Sequence, residues 1–189
     1  LSKKIKYMKI TISGTAGSGK STIAKILAKK LNLKHYSIGD FMREIAKERK
    51  ISLQELGKIA EKDNKIDKIL DKKQIQLKNK DNFIIDGRLS FHFIPNSIKI
   101  FLDASLEVRS KRIYKDIKKD LRKEEQTKTL KEIIKKIKRR ELSETKRYKK
   151  YYNLNPYKKE NYDIIIDTSK LNVKEIIDKI LKQLPKQQH

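Results

Sequence analysis

Two rhythms of apolar residues alternate along the chain. Short strand-type segments occupy residues 8–13, 35–38, 83–85, 98–102 and 163–167, with unbroken apolar runs at 83–85 and 164–166. Between them apolar residues recur every three or four positions. The first rhythm suits strands buried on both faces and the second suits amphipathic helices. One helix is predicted over 23–31, followed by a turn at Asn32-Leu33-Lys34. Three more fall within 41–80. Their stripes are Phe41, Ile45 and Ala46; Leu53, Leu56 and Ala60, with Ser52 placed as a cap; and Ile66, Ile69, Leu70 and Ile75, ending at the polar break 78–81. After the fourth strand, Asp103 or Ser105 starts a helix carrying Glu107, Arg109, Lys111, Arg112 and Lys115. Residues 114–129 hold almost no apolar side chains, which predicts an exposed, mobile connection. A long helix follows over 129–152, and Val173, Ile176, Ile177, Ile180, Leu181 and Leu184 mark a closing helix that Pro185 ends, with a frayed tail to His189. Strands alternating with helices imply an α/β chain with a mostly parallel five-stranded sheet flanked by helices, and a small helical insert between the second and third strands.

The chemistry clusters where strands end. Gly14-Thr15-Ala16-Gly17-Ser18-Gly19-Lys20-Ser21-Thr22 joins the first strand to the first helix with the Gly-x-x-x-x-Gly-Lys-Ser spacing of a phosphate-binding loop. Its glycines let the backbone curl, so that N–H groups converge on an anion at the positive end of a helix. Lys20 adds a charge for the β- and γ-phosphates of a nucleotide, and the Ser21 hydroxyl suits Mg²⁺. A chance match in a glycine turn would lack the flanking strand and helix.

Ser37-Ile38-Gly39-Asp40-Phe41-Met42-Arg43 follows the second strand. Gly39 permits a sharp exit, Asp40 is placed to cap a helix, and Arg43 lies one turn inside, within reach of an anion beyond the strand ends. Taken alone, this pattern is also that of a capped helix with a surface arginine. The third strand ends in Asp86-Gly87-Arg88. A carboxylate there, beside a phosphate loop, can steady the water shell of Mg²⁺. Arg88 enters the crevice where open α/β sheets bind ligands. In the long helix, the stripe Leu130, Ile133 and Ile137 continues as Arg140, Glu144 and Arg147. The residues alone favour a salt-bridge ladder over a phosphate site. His35, His92 and His189 share no pattern and read as structural or exposed. Tyr148, Tyr151 and Tyr152 suit helix packing better than base stacking.

Composition narrows the setting. The length of 189 residues accommodates one domain with a real core. There is no cysteine, which excludes disulfides and cysteine-based zinc sites. No apolar run approaches the roughly 20 residues of a membrane span. No signal-peptide core follows the basic residues 1–7, which either precede a start at Met8 or are foreign to the natural chain; a cytoplasmic protein is expected. The net charge of +25 suits either a nucleic-acid face or the handling of small polyanions. Lysines are scattered and Ile, Lys and Asn are abundant together, which favours compositional bias over a specific nucleic-acid partner.

Taken in order, these motifs resemble the nucleoside monophosphate kinases, and most of all the archaeal-type cytidylate kinases, over nearly the whole stretch 8–184. The resemblance implies a P-loop NTPase-type core (about 8–38, 82–108 and 160–185), a monophosphate-binding insert (about 39–81) and a helical lid (about 109–158). ATP would bind at 14–22 with Mg²⁺ on Ser21 and, through water, on Asp86. The segment with Ser37, Gly39, Asp40 and Arg43 is similar to the one that holds the acceptor, and Asp86-Gly87-Arg88 to the family's acceptor motif. Residues 102–112 resemble the approach to the lid, with Arg112 near the donor nucleotide. Arg140, Glu144 and Arg147 match a family pattern of two phosphate-binding arginines around an acid that helps hold the acceptor nucleoside, which reverses the ladder reading. The acid is Glu where bacterial relatives carry Asp, and archaeal relatives can carry Thr at the position of Lys20. The activity implied is transfer of the ATP γ-phosphate to CMP or dCMP by a monomer, with Lys20, Arg112, Arg140 and Arg147 acting on the moving group. Other readings are an adenylate or other small-acceptor kinase, a nucleic-acid-associated P-loop ATPase, and a nucleotide-binding module without catalysis.

Overall fold

The structure, a computed structural model, describes residues 8–119 and 129–185. Five parallel strands form one sheet in the order β2-β3-β1-β4-β5. They are β1 (Lys9–Gly14), β2 (Lys34–Ser37), β3 (Phe83–Asp86), β4 (Ile98–Asp103) and β5 (Ile164–Asp167). The central strands β1 and β3 are buried almost throughout: Phe83, Ile84 and Ile85 are apolar on both faces, and in β1 Ile10 and Ile12 alternate with buried Thr11 and Ser13. At the edge, β5 alternates: Ile164 and Ile166 point inward while Ile165 stands exposed.

Helices α1 (Lys20–Leu31) and α8 (Val173–Gln183) cover one face, where Ile23, Ala24, Leu27, Ile176, Ile177 and Ile180 meet Ile10, Ile12, Ile84 and Ile100. On the other face Leu89, Phe91, Phe101, Tyr148 and Tyr162 form a second, aromatic core. Helices α2 (Ile38–Glu48), α3 (Leu53–Lys62) and α4 (Lys65–Leu77) separate β2 from β3 and enclose a small core of their own around Ile45, Leu56, Ile66 and Leu70. Ser52 and Glu55 close a capping box at the head of α3. Among the described residues, no helix is long and apolar enough to cross a membrane.

Several expectations change. Helix α6 (Leu106–Lys118), capped by Ser105, continues through five of the residues read as a mobile connection. Tyr114 and Ile117 pack there beside Ile113, Ile133 and Ile137, which holds the turn helical. Residues 120–128 of that connection, residues 1–7 and the tail with His189 lie outside the described residues. Asp40 does not cap α2. Strand β2 runs straight into the helix with Ser37 at its cap position, leaving Asp40 inside the first turn. The short helix α5 (Ser90–Phe93) and a 3₁₀ turn at Lys159–Asn161 are too brief to leave a periodic signal. Helix α7 (Leu130–Tyr152) begins at Thr129, with a second capping box to Glu132.

Candidate active site

The crevice lies where the strand order reverses, outside the carboxyl ends of β1 and β3. The phosphate loop leaves β1 at Gly14 because only glycine fits there: φ is 146°, and a Cβ would stand 2.0 Å from the Leu102 carbonyl oxygen on β4. The loop then turns with the Ser18 N–H and hydroxyl both donating to the Thr15 carbonyl, and α1 starts at Lys20. Lys20 is partly buried and its ammonium donates to the Thr15 carbonyl at 3.0 Å. Burial, and next the Arg88 guanidinium, push its pKa well down. A cation held in that state is compensated by an incoming anion.

Register brings the carboxylate to the loop. Asp86 pairs across the sheet with Ile12 on one side and Ser37 on the other. The Ser21 hydroxyl donates to its Oδ2 at 2.8 Å and the Ser37 hydroxyl at 3.2 Å, while His35 Nε2 lies 2.8 Å from Oδ1. Burial works to raise the Asp86 pKa, but the bonds from His35 and Ser21 outweigh it and hold the carboxyl below its usual range. His35 is therefore not a bystander. Its position two residues before Ser37 puts both on one face of β2, a period-two signal that the sequence carried.

Next along, Gly87 is pressed against Ile38 and Ser90, and Arg88 turns into the crevice. Its guanidinium donates to the Gly14 carbonyl and, at 2.7 Å, to Glu144 on α7. Arg140 donates to the other Glu144 oxygen at 2.8 Å, and the Tyr157 hydroxyl donates to the same carboxylate. Burial alone would raise the Glu144 pKa; Arg88 and Arg140 drive it far below the carboxylate range instead. Lys20, Arg88 and Arg140 thus converge on one crevice, with Arg140 still 60% exposed.

The remaining residues named from sequence sit apart from that cluster. Arg43 folds back over Gly39 and pairs with Asp40, both half exposed. Arg112 binds the hydroxyl and carbonyl of Thr168, whose hydroxyl in turn donates to the Ser18 carbonyl, so it borders the phosphate loop from the β5 side. Arg147 lies against Asp67 of α4, 3.5 Å away. Burial raises the Asp67 carboxyl to about 6 despite that neighbour. Arg109, not singled out before, is 6% exposed and binds both the Ala16 carbonyl of the loop and Glu141 of α7.

The sequence model of the cytidylate kinase-like family matches residues 9–170, most of the chain and every element of this crevice. The chain belongs to the cytidylate kinase-like family. It is 40% identical to the cytidylate kinase of Methanocaldococcus jannaschii over 178 residues, covering 90% of this chain and 94% of that one. It is 40% identical to that of Methanothrix thermoacetophila (86% and 90% covered) and 37% identical to that of Archaeoglobus fulgidus (93% of each). Solved structures share the fold. A shikimate kinase from Bacteroides thetaiotaomicron superposes with a TM-score of 0.62 at 15% identity, over 95% of this chain and 99% of its own. An uncharacterized protein from Eubacterium ventriosum reaches 0.68 at 22% identity, over 93% and 96%.

Within this cytidylate kinase-like chain, Tyr157 and Asp67 escaped the sequence reading, which placed Arg109 on its helix without a role at the site. Asp67 had a weak signal, since it lies three residues before Leu70 and so at the margin of the buried stripe of α4. Tyr157 had none: it reaches Glu144 from an irregular segment between α7 and β5.

Proposed function

We propose that the protein is a cytidylate kinase that transfers the γ-phosphoryl group of ATP to CMP or dCMP. The observation that carries this reading is the convergence of Lys20, Arg88 and Arg140 on one crevice between the phosphate loop and α7. The chain's likeness to curated cytidylate kinases supplies the acceptor.

Donor phosphates lie in the loop amides of 14–22, with Lys20 on their outer oxygens. Two hard oxygen donors, Ser21 Oγ and the Asp86 carboxylate, stand 2.8 Å apart beside Lys20. That fits Mg²⁺, which keeps waters and phosphate oxygens in its shell. Ser21 would hold it directly and Asp86 through water, and when bound it supplies charge neutralisation across the donor phosphates.

The acceptor needs little activation. A phosphate monoester has its second pKa near 6 and is already nucleophilic at neutral pH. Arg88, with Arg43 from the α2 side, fixes the acceptor phosphate; Ser37, Gly39, Asp40 and Gly87 shape its floor. Glu144, held by Arg88 and Tyr157, orients the nucleoside. Arg140 swings over the group in flight and Arg112 braces the donor side. Catalysis is then alignment plus charge stabilisation with water kept out.

Product analysis with ATP and a panel of CMP, dCMP, UMP, AMP and dTMP tests the assignment. CDP and dCDP are the expected products. Faster turnover of AMP, or ATP hydrolysis that ignores every monophosphate, would overturn it.

A further inference from the structure

Asp67 and Arg147 are both buried where the insert meets α7, with side chains 6% and 15% exposed. Asp67 Oδ2 and Arg147 Nε form an ion pair stretched to 3.5 Å, and neither of these two atoms makes a hydrogen bond. Buried polar atoms left unmatched are costly, and native structures rarely keep them without a use. The surroundings do not repair the deficit. The Tyr148 hydroxyl takes a bond from Arg147 Nη2 at 3.1 Å. The neighbouring Asp71 is engaged by the Tyr152 hydroxyl at 2.7 Å. Burial leaves the Asp67 carboxyl titrating at about 6, so it is ionised at neutral pH without a bond to one of its oxygens.

Position gives the pair a meaning. Arg140, Glu144 and Arg147 lie along one side of α7, and the first two engage the phosphate end of the crevice. Seven residues of helix separate Arg140 from Arg147, a rise of about 10.5 Å. That is the reach of a nucleoside monophosphate from phosphate to base edge. The insert touches α7 through side-chain tips, Glu61 to Ser143, Asp67 to Arg147 and Asp71 to Tyr152, so the two can part by the thickness of a ring without unpacking either core.

On the kinase reading above, but in place of the phosphate contact that the resemblance implies for Arg147, we infer that Asp67 and Arg147 read the Watson–Crick edge of the acceptor base, Asp67 Oδ2 accepting from the cytosine 4-amino group and Arg147 donating to the acceptor side of the ring. A carboxylate facing the 4-amino group is a recurrent way of selecting cytosine. Uracil presents a carbonyl at that position, which an ionised carboxylate rejects.

The test uses the intact protein with ATP and three acceptors: CMP, UMP, and the pyrimidin-2-one ribonucleotide that lacks only the 4-amino group. In the wild type, loss of the amino group lowers kcat/KM by about 10-fold or more; in Asp67→Asn the same loss shrinks to within about threefold, and the CMP:UMP ratio falls by about 10–100-fold. The KM for ATP stays within about twofold, which reports an intact fold and donor site. A wild type that tolerates the amino-group deletion within twofold overturns the inference without any variant. So does an amino-group cost equal in wild type and Asp67→Asn; there the CMP preference of the wild type leaves the kinase assignment standing. A wild type that prefers AMP sinks both.

Discussion

The donor and acceptor sides of the crevice are built in opposite ways. The donor side comes from one continuous stretch, 14–22, whose turn is closed by its own hydrogen bonds and whose carbonyls are further held by Arg88, Arg109 and Thr168. The acceptor side is assembled from β2, α4, the end of β3, α7 and the segment around Tyr157. Its central carboxylate, Glu144, takes three hydrogen bonds, whereas its outer pair, Asp67 and Arg147, meets only as an ion pair stretched to 3.5 Å, with no hydrogen bond between them. A continuous site can be complete before the substrate arrives. An assembled one can leave its last bonds for the substrate to make.

The hardest blow to that contrast is Arg88→Ala. It removes the link between the Gly14 carbonyl and Glu144 and strands a buried carboxylate with one cation fewer. Turnover of CMP is expected to fall by about 10³–10⁵-fold. Denaturant melts should register a loss of about 3–5 kcal/mol. Wild-type stability in the variant would mean that the cluster is not what joins the two sides.

Arg140→Ala comes next and should separate chemistry from folding. The side chain is largely exposed, so its loss costs less stability than that of Arg88 although it too pairs with Glu144, while kcat falls by about 10²–10³-fold with a milder effect on ATP affinity. Turnover within about threefold of wild type would remove Arg140 from the reaction; that threshold is roughly 0.7 kcal/mol.

The smallest effects, and the sharpest, are the opposite pH signatures of the two acids. Glu144 has its folded pKa depressed, so its contribution is present above about pH 4.5 and is lost on acidification through the folded value. Glu144→Gln therefore lowers the melting temperature at pH 7 and the deficit narrows toward pH 3. Asp67 has its folded pKa raised to about 6, chiefly by burial, so ionisation costs stability above that pH and nothing below about 3.8. Asp67→Asn should melt about 2–4 °C higher than wild type at pH 8, with the gain gone by pH 4. Parallel curves for the two variants would erase the distinction between a matched and an unmatched acid.

The same division explains what could be read from the chain. Residues 14–22 and 86–88 are local motifs, and strand, loop and helix around them follow from apolar runs and glycines. The Arg140–Glu144–Arg147 stripe was visible as geometry, but its partners were not. Arg88 meets Glu144 across 56 residues of sequence, and helical periodicity carries no information about that distance. Likewise Asp40 was read as a cap because its type suits one, while the strand-to-helix junction put Ser37 there and spent its hydroxyl on Asp86. His35 looked idle for the same reason: the bond that employs it comes from a strand 51 residues away.

One guanidinium remains to be weighed. Arg109 grips the Ala16 carbonyl with the same nitrogen that holds Glu141, next to Arg140 on α7. The cradle for the incoming polyphosphate and the root of the moving arm are thus tethered by a second bridge besides Arg88, and displacing one tugs the other. Cutting that tether with Glu141→Gln would slacken the arm while leaving every amide of the cradle in place.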